Sequence, residues 1–528
     1  MTDAVVIGAG HNGLVCAFYL ARAGLKVTVL ERRGVVGGAA VTEEFHPGFR
    51  NSTLSYAVSL LNPKVIADMG LARHGLRLVE RRLDNFLPLE HGDSLSLGTG
   101  VTQAEVARFS PKDAEALPAY WRRLEAIAAL MRELVLKTPP NLVEGGWAAA
   151  LPELLKSASL ARRIGGLDLT GKRDLLALFA QSAGDWLDGW FESDPIKAAY
   201  GFDAVVGAYA SPYTPGTAYV LLHHVFGEVN GRKGAWGHAL GGMGAITQAM
   251  AAACAGLGVE IRTSSPVREV VAAPGGPATA VVTEAGERIE AKLVASSVHP
   301  KILFQRLLDP ALLDADTTER IARYRSGSGT FRMNLALSAP PRFTSRPEPG
   351  DHLTSGIIVA PSLAYMDRAF MDARTGGWSQ APIVEMLIPS TLDDSLAPPG
   401  RHLASLFCQH VAPELADAHR DEVALLMIAT VDRHAPGFAA SVEGFQAWSP
   451  RDLEREFGLV GGDIFHGQLQ LDQLFSARPL LGCGAYRAPI EGLYLCGAGT
   501  HPGGGVTGLP GHNAAREILR DLGRGRRP

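Results

Sequence analysis

The sequence predicts an α/β protein: a Rossmann-like dinucleotide-binding domain assembled from separated pieces of chain, with an α+β domain inserted between the pieces. Three observations carry that expectation. A glycine turn near the N-terminus sits in a complete strand–turn–helix–strand setting. Stretches 1–75, 226–300 and 476–528 each read as strand-and-helix units broken by glycine turns. The stretches between them, 76–225 and 301–475, have a different character and form the second, substrate-binding domain. A chain of 528 residues is also too long for one compact core.

Taken in order, Ala4-Val5-Val6-Ile7 reads as a short buried strand. It runs into Gly8-Ala9-Gly10-His11-Asn12-Gly13 and then an apolar helix from Leu14 to Ala23. A second strand, Lys26 to Leu30, ends in Glu31. In such a G-x-G-x-x-G unit, Gly8 permits the tight turn, Gly10 admits a pyrophosphate to the backbone, and Gly13 lets helix and strand pack closely. The helix N-terminus offers N–H groups and a positive dipole end to phosphates. Glu31 is placed to accept hydrogen bonds from ribose hydroxyls and to repel a 2′-phosphate. The pair Gly37-Gly38 that follows is either a plain turn or a loop that approaches a ligand without side chains.

Residues 104–200 are mostly helical in pattern. Trp121, Leu124, Ile127, Leu130, Met131 and Leu134 recur at spacings of three and four. The 301–475 stretch mixes expected strands at Ile357–Val359, Ile383–Ile388 and Leu403–Phe407 with a helix at Glu422–His434. Gly241-Gly242-Met243-Gly244 opens a helix to Leu257, but no buried β-branched strand precedes it, so it is not a second dinucleotide fingerprint. At the C-terminal end, Leu493-Tyr494-Leu495 runs into a turn dense in glycine, Gly497 to Gly508, and a helix from Pro510 to Leu522. Its start again suits a polar or anionic group.

Bulk properties exclude several function classes. A net charge of −4 and a pI near 6.5 give no electrostatic case for nucleic acid. Its one basic cluster, Arg520 to Arg527, reads as a disordered end or a weak contact for an anionic surface. The five cysteines, Cys16, Cys254, Cys408, Cys483 and Cys496, form no C-x-x-C pair, which argues against a redox dithiol and a zinc ribbon. With no signal peptide and no transmembrane helix expected, the chain reads as cytoplasmic.

These motifs together resemble the flavin-dependent phytoene desaturase and amine-oxidase-like superfamily, most closely its pyridine nucleotide-disulfide oxidoreductase domain-containing branch. The resemblance rests on Val6–Leu14, Glu31-Arg32-Arg33, Gly37–Glu44, Pro47-Gly48-Phe49 and Leu493–Val506, and spans the whole chain in order. It implies a glutathione-reductase-type FAD-binding domain, with FAD rather than NAD bound. By position, Gly8, Gly10 and Gly13 would hold the pyrophosphate, and Glu31 the adenosine ribose. Gly38 and Ala39 would lie along the diphosphate and ribityl chain, and Val267 would meet the adenine through its backbone. Gly497, Gly505 and Val506 would line the ribityl chain and isoalloxazine. Ala9, Asn12 and Arg32, inside the matched motifs, complete the expected cofactor set.

A flavin carries out hydride and electron transfer itself, so no catalytic triad is expected, and none is visible. The weak catalytic candidate is His501, which either lies near the flavin ring or bonds nearby backbone. His223, His224, Tyr213 and Tyr219 either face the cleft or pack structurally, and no metal site is expected. The expected function is FAD-dependent desaturation or oxidation of an apolar, carotenoid- or lipid-like small molecule. Alternatives are a flavin amine oxidase and a flavin-folded protein that acts through a protein partner. The desaturase likeness also implies peripheral membrane contact, because carotenoid desaturases draw substrate from bilayers.

Overall fold

In a computed structural model, residues 2–141, 153, 157–158 and 160–523 are described. The expected basic tail beyond 523, and most of 142–159 within the expected helical stretch, lie outside the described residues.

The first strand, Thr2–Ile7, sits inside a seven-stranded sheet. Val27–Leu30 and Arg288–Ser296 flank it in parallel; Glu260–Arg262 adds beyond the former and Leu493–Leu495 beyond the latter. The start, middle and end of the chain thus meet in one parallel layer, whose carboxyl ends converge. Val267–Ala272 and Ala278–Thr283 extend the first half of strand 288–296 as an antiparallel meander. Both faces of the parallel core are covered, which is why its strands read as unbroken apolar runs. Ala4, Val6, Val27 and Val29 pack under helices His11–Arg22, Gly244–Ala255 and Leu509–Asp521. Val5, Ile7 and Val294 pack on the opposite side with Val270, Leu303 and Phe304.

A second seven-stranded sheet runs in the order 442–448, 331–337, 402–411, 378–387, 356–359, 85–88, 94–97 and is antiparallel except between 356–359 and 85–88. Its two faces differ in chemistry. Phe331, Met333, Leu335, Leu406, Cys408 and Met386 build an apolar core with Val423, Met427 and Val431 of helix Arg420–Asp432. The other face carries Arg332 and Asn334 opposite Phe407 and Ser405, with Glu385 opposite Phe407. This polar face is buried as well: Asn51 Nδ2 donates to Asn334 Oδ1 at 2.8 Å, and Asn334 Nδ2 donates to the Ser52 carbonyl at 3.2 Å. Two strands are longer than their apolar runs suggest, Trp378–Leu387, which gains Trp378–Pro382 across a register shift, and His402–Val411, which gains the buried polar Gln409 and His410. The first helix likewise begins at His11 rather than Leu14, so the end of the glycine motif forms its first turn. Helix Pro111–Leu134 carries the amphipathic stripe, with Leu124, Ile127 and Met131 buried and Trp121 at its exposed edge.

Among the described residues, no helix is long and apolar enough to cross a membrane. One side chain knits the loops above the first sheet. Arg478 is fully buried and donates to the carbonyls of Phe465 (2.6 Å), Ala498 (2.9 Å), Gly467 (3.1 Å) and Gln473 (3.3 Å). A guanidinium offers five donors in a fixed fork, which suits this ring of acceptors. Arg478→Met keeps the length and orphans these carbonyls. We expect it to cost about 3 kcal/mol or more, measured as a lower unfolding midpoint; an unchanged midpoint would contradict this role.

Candidate cofactor and active site

At the carboxyl ends of the parallel strands lies a cavity of about 710 Å³, within the ordinary range for ligand sites. Ile7, Leu30 and Ser297, each at or just past the end of one of three adjacent strands, line it. This is the position at which open α/β sheets bind ligands. Six arginines and three glutamates line the same cavity; Arg33, Arg306 and Arg455 are ion-paired with Glu43, Glu454 and Asp452, and among the described residues Arg32, Arg268 and Arg451 have no such pair and suit an anion.

The glycine turn is shaped by close approach. Gly8 adopts φ +92°, and a Cβ there would lie 2.5 Å from Ser297 Oγ, which donates to the Ile7 and Gly8 carbonyls. A Cβ on Gly13 would lie 2.0 Å from the Gly8 carbonyl oxygen, so only glycine lets the helix start against the turn. At Gly10 the Cβ direction is open, toward the cavity that Gly10 lines. The first helix has no side-chain cap and no acidic residue in its first turn, leaving its positive end for a ligand. Helix Gly244–Ala255 differs: Ser52 Oγ accepts from Met243 N–H and Thr42 Oγ1 from Gly244 N–H, so its start is closed by protein. Glu31 holds the turn from below. Its Oε2 accepts from Ala9 N–H at 2.7 Å and its Oε1 from Arg33 N–H at 2.9 Å, which leaves lone pairs on both oxygens.

A smaller cavity of about 130 Å³ shares His11, Ala39, Leu459, His466 and Ala498 with the first, so the two adjoin. Its walls are largely apolar and aromatic, including Tyr56, Trp236, Phe407 and Phe465, with Gly504–Val506 along one side. His224 stacks near Trp236 at a centroid distance of 6.1 Å. Arg332 lies over the Tyr56 ring at 4.5 Å, and Tyr56 Oη donates to Glu385 Oε2 at 2.5 Å.

Several buried polar atoms around these cavities have no partner within the protein: both ring nitrogens of His11, Asn12 Oδ1, His466 Nδ1, Ser59 Oγ and Arg332 Nε. Buried polar groups are nearly always bonded, so this set points to a polar ligand that runs from one cavity into the other. Burial pushes the His11 imidazole down to about 4 and that of His466 to about 3, so both are neutral at physiological pH.

Of the sequence-predicted set, Gly8, Gly10, Asn12, Glu31, Arg32, Gly38, Ala39 and Val267 line the larger cavity. Ala39, Gly505 and Val506 line the smaller one. Ala9, Gly13 and Gly497 line neither; they shape the turns behind the walls, and a Cβ on Gly497 would lie 2.3 Å from the Ser297 carbonyl oxygen. His501 is also displaced from both cavities. Its Nε2 lies 3.1 Å from the Leu134 carbonyl, its ring stacks on Phe475, and burial lowers its pKa to about 4. It is a neutral donor to backbone, the structural role the sequence also allowed. Of the other four residues that stood open, only His224 lines a cavity: His223 and Tyr219 are buried behind it, and half-exposed Tyr213 bonds Asp188. His11, His466, Tyr56 and Arg332 are wall residues that sequence reasoning missed. Cys16 and Cys496 meet in the core, where that contact and burial push Cys496 well up.

The family profile of flavin containing amine oxidoreductases matches residues 13–519. A pyridine nucleotide-disulfide oxidoreductase domain-containing protein 2 from Rattus norvegicus is 41% identical, covering 98% of this chain and 94% of the relative. A lycopene-forming phytoene desaturase from Pseudescherichia vulneris is 26% identical over 96% of this chain and 97% of its own length. Among solved structures, a putrescine oxidase variant with redesigned cofactor binding superposes with TM-score 0.60 at 16% identity, covering 99% of this chain and 98% of the other. The chain belongs to the flavin-containing amine oxidoreductase family, and FAD is its cofactor.

Proposed function

We propose that this protein oxidises an apolar small molecule by loss of a hydride to FAD and of a proton to solvent, with desaturation of a lipid- or carotenoid-like chain as the specific form. The observation that carries the reading is the pair of adjoining cavities. One is cationic and sits over a glycine turn; the other is aromatic and small, and borders Gly504–Val506. In this reading the adenosine diphosphate lies in the larger cavity, with Gly10 and the first helix toward the diphosphate, Glu31 toward the ribose and Val267 toward the adenine. Gly505 and Val506, in the smaller cavity, would border the isoalloxazine and the reacting part of the substrate. His11 and His466, orphaned where the cavities adjoin, would supply hydrogen-bonding groups to the bound cofactor.

Bound FAD supplies the hydride acceptor. The chain's own residues position and shield: Phe407, Phe465, Trp236 and Leu60 exclude water from the reacting carbon. The likeness to a phytoene desaturase supports an apolar substrate. The raised pKa of Cys496 speaks against a dithiol reductase, which needs an accessible thiolate.

The purified protein is expected to show the visible absorbance of oxidised flavin and to bleach anaerobically with a turned-over substrate. A colourless protein that takes up no FAD would refute this function. Gly10→Val fills the open side of the turn, and we expect FAD retention to fall by about tenfold or more while the secondary structure is kept. Glu31→Ala should loosen FAD as well, through the freed Ala9 and Arg33 amides. Full flavin content in both variants would refute the placement.

A further inference from the structure

The wall of the smaller cavity has an unbalanced charge. Among the described residues that line it, Arg332 is the one with a fixed charge, and no carboxylate lines it. The histidines there do not alter the sign, because burial lowers His11 and His224 to about 4 and His466 to about 3. Arg332 is 1% exposed and, among the described residues, has no carboxylate within 4.0 Å. Its guanidinium is held rigidly: one nitrogen donates to Ser405 Oγ at 2.8 Å, another to the Leu406 carbonyl, and its face lies on Tyr56. Nε keeps a donor with no partner. Nearby Glu385 bonds to Tyr56 and sits in the field of both Arg81 and Arg332, so one carboxyl faces two buried guanidiniums. A buried, unpaired cation is costly unless a partner arrives to meet it.

We propose that the smaller cavity accepts a substrate with an apolar body and a carboxylate head, and that Arg332 receives the carboxylate and sets specificity for it. The inference rests on the reading above that substrate and the reacting end of FAD share this cavity. A protonated amine would meet a fixed positive charge and no counter-charge there. The amine chemistry in the family's description is therefore disfavoured for this chain by the sign of one residue. A guanidinium also matches a carboxylate in shape as well as charge.

The test uses the holoprotein and three ligands with one tail: dodecanoate, dodecylamine and dodecanol. Binding is read by titration calorimetry at neutral pH and, in parallel, by perturbation of the flavin absorbance. The acid is expected to bind at least about tenfold more tightly than the amine or the alcohol. Arg332→Gln should erase that preference, and Arg332→Lys should retain part of it. An amine that binds as well as the acid overturns the proposal, as does an acid preference that survives Arg332→Gln. If Arg332→Gln instead shifts the flavin reduction potential and leaves the head-group order intact, the charge serves reduced flavin and the proposal falls. Should Arg332→Gln fail to fold, the wild-type series and Arg332→Lys decide. Loss of the oxidation reading is a separate result, a holoprotein that ranks the three head groups as expected but whose flavin no bound substrate bleaches.

Discussion

The carboxylate of Glu31 accepts from Ala9 N–H on one side and Arg33 N–H on the other, and so ties the first turn to the end of the second strand. Much of the site follows from that clamp. It fixes the turn over the carboxyl ends of the strands, and Gly13 can then bring the helix start against Gly8. The helix axis so placed aims its uncapped end into the larger cavity. Charge-assisted bonds of this kind are stronger than neutral ones and tolerate little movement.

The second constraint is the buried polar face of the large sheet. Arg332, Asn334, Ser405 and Glu385 would cost stability if left bare, and most are matched by the segment that follows the glycine pair: Asn51, Ser52 and Tyr56. That matching seats the hairpin 42–52 and the segment after it on the large sheet, whose Arg332 and Phe407 line the smaller cavity. Arg478 does the same for the loops above the first sheet and reaches the carbonyl of Ala498, which lines both cavities. Polar groups thus hold the walls, while apolar and aromatic side chains fill the space between them.

What could be read from sequence was local. The first turn, its helix and Glu31 are contiguous, and Gly8 and Gly13 have local reasons, a positive φ and the close approach of helix to turn, that need no distant partner. His11 escaped notice because it occupies a variable position of the motif, and its orphaned nitrogens become visible only once His466 arrives from far along the chain. His501 misled in the opposite way: it stands next to a glycine turn in sequence, but the Leu134 carbonyl captures it in space. The run Phe331-Arg332-Met333-Asn334-Leu335 did carry a period of two. A strand with one polar face ordinarily shows that face to water, and only the pairing with 402–411 and the contacts of Asn51 and Tyr56 reveal that here it faces a cavity.

The central claim is that separated segments build one continuous site for one dinucleotide. Titration calorimetry of flavin-stripped protein with FAD, in the presence and absence of saturating ADP, tests it most directly. A single site predicts one FAD per chain and an apparent affinity that weakens as ADP occupies the glycine-turn end. An FAD affinity indifferent to ADP, or more than one FAD bound per chain, would contradict it.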